Sequence, residues 1–408
     1  MGMFTFLAAE APRDLWTIMI NWVNGSVMNF GWAILLATII VKLIMTPLDF
    51  LVKLSTKKQM LVQQKLKPQI SKLQKKYGSD QQALKVQQQA LYKREGLNVG
   101  AGCLIMIVNL VLTMVVFFTF YSSLRKVSAY QAINEYEQIE ASYTDAFYNS
   151  LISSGDISIT DKDSANVWWV DFQEAKEYTD NEENKQAADY NDKLAIVNQK
   201  YAIAKLATDA GNTAAVAKYN EIKSSWLWVE NIWRADAPIS PFPYYNELQS
   251  SANSGGYGEY VNANIKEASY NAIANEINAS TNRKNGYYIL AILAALLTFL
   301  SQWVSELHNK LKSKKARLLT DSTKTADAGA GMSMKIMKFV MPIIMLLFVF
   351  SSSATFGLYI LASNLTSLLF GEIITLIVDA ITKKKRLEVE EELEKEANRL
   401  IKKGKLQE

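Results

Sequence analysis

Cysteine and histidine occur once each, as Cys103 and His308, and there are only 7 prolines in 408 residues. A lone cysteine excludes an internal disulfide, and one cysteine with one histidine supplies neither a zinc set nor a Cys–His catalytic pair. The sequence also lacks a glycine-rich phosphate loop and a carboxylate pair inside an apolar run. No cofactor, no metal and no catalytic group is therefore expected, and an enzyme is excluded as the leading reading. The opening "MGMFTFLAAEAPRDL" has no basic segment ahead of its short apolar run, so no signal peptide is read there.

What the chain does have is a sharply divided composition. Net charge is +4 and mean hydropathy is near zero, values that a large soluble protein also shows. That average hides apolar runs of span length, roughly 18 residues or more, at Trp32 to Leu51, Gly102 to Phe120, Tyr287 to Val304, Phe339 to Phe350 with its flanks, and Phe356 to Val378. The intervening segments are too hydrophilic to lie in lipid. The expected fold is an all-α polytopic membrane protein with five transmembrane helices, a cytoplasmic helical hairpin and a large extracytoplasmic helical insertion.

Loop charge sets the expected orientation, because cytoplasmic loops hold the excess of Lys and Arg. Residues 52–97 contain 11 basic and 2 acidic side chains, and residues 308–334 contain 6 and 2. Residues 125–285 contain 14 and 23, and a segment of that length crosses with little regard to charge. The expected order is an external or interfacial segment 1–30, a first span 31–51, a basic cytoplasmic hairpin 52–97, a second span 98–124 and an external helical domain 125–285. A third span 286–307, a cytoplasmic loop 308–334, a fourth span 335–352, a fifth span 354–381 and a basic cytoplasmic tail 382–408 complete it.

Local patterns refine this order. Leu15, Ile18, Trp22 and Val23 recur at helical spacing, as an interfacial helix or an extension of the first span would show. In the hairpin, Leu66, Ile70, Leu73 and Tyr77 form a narrow stripe, Pro68 interrupts the first helix and "YGSD" supplies a break and an N-cap. Weak packing and considerable mobility are expected there. Trp226, Trp228 and Trp233 cluster beside a span and read as an interfacial belt. The tail "KKKRLEVEEELEKEANRLIKKGKLQE" reads as a short amphipathic helix with Leu387, Leu393, Ala397, Leu400 and Ile401 on one face, solvated and anchored by anionic lipid through "KKKR".

The informative anomaly is Lys42, near the middle of the first span. A charge at that depth costs about 2.5–3.5 kcal/mol on insertion scales and is tolerated beside water or a partner. Thr38, Lys42, Thr46, Asp49 and Lys53 share one helical face. Other spans add Asn109 and Thr113, Gln302, and Asn364 with Ser367. Interhelical hydrogen bonding accounts for the hydroxyls and amides. It does not account for Lys42, for which no other span offers a carboxylate at matching depth, so a wet cavity open to the cytoplasm is expected.

At these residues the chain resembles a known family. "GWAILLATIIVKLIMTPL", a basic hairpin ending "LYKREGLNVGAGCL", "WLWVENIW", "MKIMKFVMPIIMLLF" and "GLYILASNLTSLL" occur in the order and spacing of the YidC/Oxa/Alb membrane protein insertases. The resemblance leaves residues 126–225 uncovered. It implies insertion of other membrane proteins without nucleotide energy, through a hydrophilic groove open to cytoplasm and lipid and closed to the outside. The implied groove residues are Lys42, Thr38, Thr46, Asn109, Thr113, Gln302, Asn364 and Ser367, with Lys42 where the family usually has arginine. Asn109 stands in place of a glutamine, Ile105 and Val111 in place of prolines, and Ile360 in place of a tryptophan. Implied partners are nascent membrane proteins, the Sec translocon, the ribosome and anionic lipid, at a bacterial plasma membrane. A transporter or channel for an anionic solute, and a scaffold presenting the external segment, are the rival readings.

Overall fold

The computed structural model describes residues 9–77, 80–96, 99–309, 315, 319, 340 and 342–403. The loop expected at 308–334 and the first residues of the fourth span lie largely outside the described residues; of that span, 342–350 are helical. The described residues form helices and no strand, and they separate into two compact units. One comprises Ile18–Tyr121 with Tyr288–Glu408, the other Met1–Thr17 with Ser122–Tyr287.

The first unit is apolar and is built on long helices. Helix α1 (Leu15–Val27) stops before Met28, and α2 then runs unbroken from Phe30 to Tyr77. The N-terminal segment is thus a helix of its own and not an extension of the first span. Leu15, Ile18 and Trp22 lie exposed along it, while Ile20 and Val23 are buried.

Helix α2 joins what the sequence suggested were two elements, the first span and the first arm of the hairpin. Neither Pro47 nor Pro68 breaks it. A proline inside a helix loses one hydrogen bond and crowds the preceding turn, and here Pro68 is itself buried between Leu66 and Ile70. The hairpin is also better packed than its narrow stripe suggested. Val62, Leu66 and Ile70 form a small core with Leu91 of α3 (Gln81–Arg94), supported by Leu73 and Tyr92. The break is where expected: α2 ends at Tyr77, and the Asp80 carboxylate caps α3 by accepting from the Ala83 N–H at 2.9 Å.

Helix α4 (Val99–Ile152) carries the second apolar run and continues as one helix into the second unit. Helix α10 (Ile289–Asn309) carries the third, and α11 (Ala354–Lys402) the fifth together with most of the tail. Three of these helices are long and apolar enough to cross a membrane, at Phe30–Tyr77, Leu104–Ile152 and Ala354–Lys402; Ile289–Val304 is a shorter apolar helix. Gly357 lets α11 approach closely, since a Cβ there would meet Val349 at 3.1 Å and Leu290 at 3.3 Å.

The tail departs from expectation. It is not a separate solvated helix: α11 runs on alongside α2, and Val389, Leu393 and Ala397 are buried against Leu319. Leu387, assigned to the apolar face, points outward, and Val389 takes its place. Ion pairs reinforce the contact, Lys57–Asp379 at 2.8 Å, Lys65–Glu392 at 3.3 Å and Lys72–Glu396 at 2.9 Å. The acidic residues of the tail answer the basic face of the hairpin, which composition alone did not reveal.

The second unit is polar outside and aromatic within. It contains the last turns of α4, then α5 (Lys162–Asp180), a 3₁₀ turn at Glu182–Gln186, α6 (Tyr190–Ile222), α7 (Tyr245–Gly255), α8 (Gly258–Asn264) and α9 (Glu267–Ser280). Phe147, Leu151, Trp168 and Phe172 pack on the small residues Ala204 and Ala207. Ile133, Tyr136, Tyr219, Leu248, Tyr270 and Ile273 form a second core. Two of the clustered tryptophans, Trp226 and Trp233, belong to this interior, and Trp228 is half-buried. Trp226 and Trp233 are buried, and the Trp233 indole N–H donates to Glu135 Oε1 at 2.9 Å.

Candidate functional site

The polar face of α2 carries the charges that composition made anomalous. Thr38 is buried and Thr46 half-buried, and each hydroxyl donates to a carbonyl of its own helix, Thr38 to Ile34 at 2.7 Å and Thr46 to Lys42 at 2.8 Å. Both are therefore satisfied locally, as hydroxyls on apolar helices commonly are. Lys42 differs. Its side chain is half-buried, and among the described residues its ammonium has neither a hydrogen bond nor a salt bridge. The nearest opposite charge acting on it is Asp49, two turns further along the same helix.

Asp49 in turn lies between Lys42 and Lys53, so α2 presents alternating charge along one face. Lys53 is anchored: its ammonium donates to the Gly371 carbonyl of α11 at 2.7 Å and to the Thr375 hydroxyl at 3.1 Å. Glycine at 371 permits this approach, since a Cβ there would stand 3.1 Å from the lysine nitrogen. One turn on, Lys57 is buried against Asp379. The ladder therefore runs from a tied end at Lys57 and Lys53 to an untied one at Lys42. The sequence signal for Lys53 was its place on the Thr38–Lys42–Thr46–Asp49 face; nothing in the sequence pointed to its partners on α11.

The remaining expected residues divide. Asn364 links helices, its amide donating to the Ala294 carbonyl at 3.1 Å and to the Thr298 hydroxyl at 2.8 Å, so it holds α11 to α10. Asn109 on α4 is half-buried, and its Oδ1 has no hydrogen-bond partner among the described residues. Gln302 is half-buried; Thr113 and Ser367 face outward. Among the described residues, then, the Lys42 ammonium, Asn109 Oδ1 and the Gln302 amide have no hydrogen-bond partner, whereas Thr38, Thr46 and Asn364 bond within or between helices.

The same unit also carries a cluster of ring contacts between α4 and α11. Phe120 of α4 meets Tyr359 of α11 at 4.8 Å, Tyr121 meets Phe356 at 4.8 Å, and Phe117 stands within about 6 Å of both α11 rings. Phe120, Phe356 and Tyr359 are buried. Chemically the described residues of the unit offer an apolar housing, a charged face on α2 tied to α11 at Lys53 and Lys57, and a cluster of aromatic rings between α4 and α11.

Comparison with known proteins agrees with this chemistry. The profile of the 60Kd inner membrane protein family matches residues 22–172. A membrane protein insertase YidC of Wolinella succinogenes is 38% identical over 123 residues, and one of Helicobacter pylori is 37% identical over 123 residues. A third, from Campylobacter jejuni, is 32% identical over 123 residues. In each the match covers 29% of this chain and 20% of the relative, so the chain spans about a fifth of the length of the curated relatives it matches. No solved structure matches the chain.

Proposed function

We propose that this chain, similar over residues 22–172 to the 60Kd inner membrane protein family and over 123 residues to YidC insertases, is a multi-pass inner-membrane insertase of that family and inserts other membrane proteins by way of the Lys42 face. The observation that carries the reading is the contrast along α2, where Lys53 and Lys57 have partners on α11 and, among the described residues, the Lys42 ammonium has neither a hydrogen bond nor a salt bridge. An unpaired ammonium in hydrocarbon is stable only beside water or a visiting anion. A substrate's polar, often acidic, external tail is such an anion.

The steps follow from electrostatics and burial. Water around Lys42 shortens the apolar distance that the tail must cross, and the fixed charge attracts its carboxylates, more strongly in a low-dielectric surround than in bulk water. Asn109 adds an amide oxygen free to accept from a passing backbone N–H. The aromatic closure of Phe120, Phe356 and Tyr359 keeps the wet region from running through the membrane. The substrate's hydrophobic segment then leaves for lipid, and its burial, at about 25 cal/mol per Å² of apolar surface, drives the step. The polar unit is an external accessory, and the N-terminus-out orientation follows from loop charge.

Reconstitution into liposomes with a short single-span substrate bearing an acidic external tail tests this. Lys42→Arg is expected to retain insertion, Lys42→Ala to lose most of it and Lys42→Glu to lose it entirely, because arginine stays charged at any depth. Equal insertion by all three variants refutes a role for the groove charge.

A further inference from the structure

Among the described residues, three non-glycine side chains sit on left-handed backbone: Met28 with φ 51°, Leu227 with φ 48° and Tyr288 with φ 62°. Glycine is the ordinary residue in that region, and bulky side chains there are strained. All three are large and apolar, with exposures of 88%, 67% and 37%. Met28 and Leu227 are too exposed for burial inside the protein to offset their strain, whereas Tyr288 is largely covered and its ring packs edge-on against Phe350 at 4.8 Å. Met28 lies just ahead of the first apolar run and Tyr288 just ahead of the third.

Leu227 is far from either in sequence, but the fold ties it to the second of these places. Trp226 N–H donates to the Val229 carbonyl and Val229 N–H to the Trp226 carbonyl, both at 2.9 Å, so Leu227 and Trp228 are the two central residues of a hairpin turn. Positive φ at the first central residue is the type II′ arrangement, where glycine is normal. The base of the turn is fixed. Trp226 and Val229 are buried, Glu230 N–H donates to the Asn285 carbonyl at 3.1 Å, and Asn231 N–H donates to Asn285 Oδ1 at 2.8 Å. Asn285 is fully buried, and its amide donates back to the Asn231 and Ala235 carbonyls. It stands four residues before Ile289, where α10 begins.

A rigid turn thus holds a leucine outward, on strained backbone, while bonded to the chain that leads directly into an apolar helix. Tyr287 and Tyr288, exposed in that same lead-in, are of the kind that collects at a membrane–water boundary. Strain that persists without internal compensation marks a functional position. We infer that the Trp226–Val229 turn is a lipid anchor, with Leu227 entering the interfacial layer of the leaflet into which the first turn of α10 leads. The partner is the lipid surface itself, chosen by continuity with the span; burial of the leucine among acyl chains offsets the backbone strain.

The test uses the full chain in nanodiscs of phosphatidylethanolamine and phosphatidylglycerol, with Cys103→Ser and either Leu227→Cys or Ile157→Cys labelled with an environment-sensitive dye. Ile157, 97% exposed in the same unit, is the reference. The Leu227 site should emit at shorter wavelength and be quenched by nitroxide-bearing lipid at least fivefold more than the Ile157 site. Equal, water-like emission at both overturns the anchor, and so does an apolar shift that requires a second membrane protein, which would make the turn a protein-docking site. Leu227→Gly accepts the same backbone and keeps the turn folded. Its thermal midpoint should equal or exceed that of the parent in detergent and fall below it in nanodiscs; a rise in both media leaves the leucine merely strained and overturns the inference.

Discussion

Two buried charges, one in each unit, are treated in opposite ways. Glu135 in the polar unit is buried, and one of its oxygens accepts three hydrogen bonds, from the Ser224 N–H at 3.3 Å, the Ser224 hydroxyl at 3.0 Å and the Trp233 indole at 2.9 Å. Lys42 in the apolar unit is half-buried without such a partner. The first arrangement joins α4 to the loop after α6 and stabilises one conformation. The second has only Asp49, two turns away on the same helix, as a charge acting on it among the described residues. A satisfied buried charge holds structure together, whereas a charge at depth in a membrane helix without a bonded partner needs water or an opposite charge beside it.

The comparison breaks most visibly at Glu135. Replacement by alanine leaves three donors without their acceptor and should destabilise the polar unit by about 3–5 kcal/mol, measured as the denaturant midpoint of the full chain followed by Trp233 fluorescence. Glu135→Gln keeps an acceptor oxygen and should lose less. An alanine variant as stable as the parent means that the contacts around Glu135 hold nothing together.

A smaller effect is expected from pH. Burial raises the Glu135 carboxyl to about 7 against an ordinary 4.5, and the hydrogen bonds from Ser224 and Trp233 only partly oppose this. Between those values the folded state holds more protons than the unfolded one, so stability falls as pH rises. The contribution is fully present below about pH 4.5 and is lost as pH passes through about 7, by up to ~3 kcal/mol in all. Glu135→Gln should flatten that slope in an unfolding series from pH 5 to 8; an unchanged slope assigns it to another group.

The contrast sharpens within the apolar unit. Single cysteines in a Cys103→Ser background should separate satisfied positions from unsatisfied ones, because thiolate formation needs water. Asn109→Cys should react at least tenfold faster with a membrane-impermeant thiol reagent than Thr38→Cys, since Thr38 is buried in protein and Asn109 is only half so. Equal rates mean that the polar face is dry packing throughout. The smallest effect is expected from deleting 387–408, which removes Glu392, Glu396 and the apolar contact at Val389 and Leu393. Exposed ion pairs contribute about 0–1 kcal/mol each, so amide exchange in residues 57–77 should quicken severalfold while span topology is retained; unchanged exchange means that α2 needs no brace from α11.

Much of this architecture was legible in the residues. The apolar runs and the Asp80 break announced helices α2, α3, α4, α10 and α11, because hydrophobic length and capping chemistry are local properties. What stayed hidden was pairwise. Continuity of α2 through Pro68 depends on that ring being buried, and the place of the tail depends on Lys65 and Lys72 finding Glu392 and Glu396 more than 300 residues away. Within "WLWVENIW", Trp233 was hidden for the same reason. An indole near a span suits lipid, and only the distant Glu135 made protein the better surround for Trp233. At the candidate site, Lys42 stood out by its cost alone; the distinction between Lys42 and Lys53 required α11 beside them.

The single 48-residue helix α2 also has a mechanical meaning. At 1.5 Å per residue, Pro47 lies about 7.5 Å along the axis from Lys42 and about 45 Å from Tyr77. A proline without its hydrogen bond is the compliant point of such a rod. Measured to those two residues, the arms on its two sides differ about sixfold in length, and Lys53, Lys57, Lys65 and Lys72, which bond to α11, all lie on the long one. The stiff side of the rod is thus the one that α11 braces, and the short arm carrying Lys42 is the side left to bend.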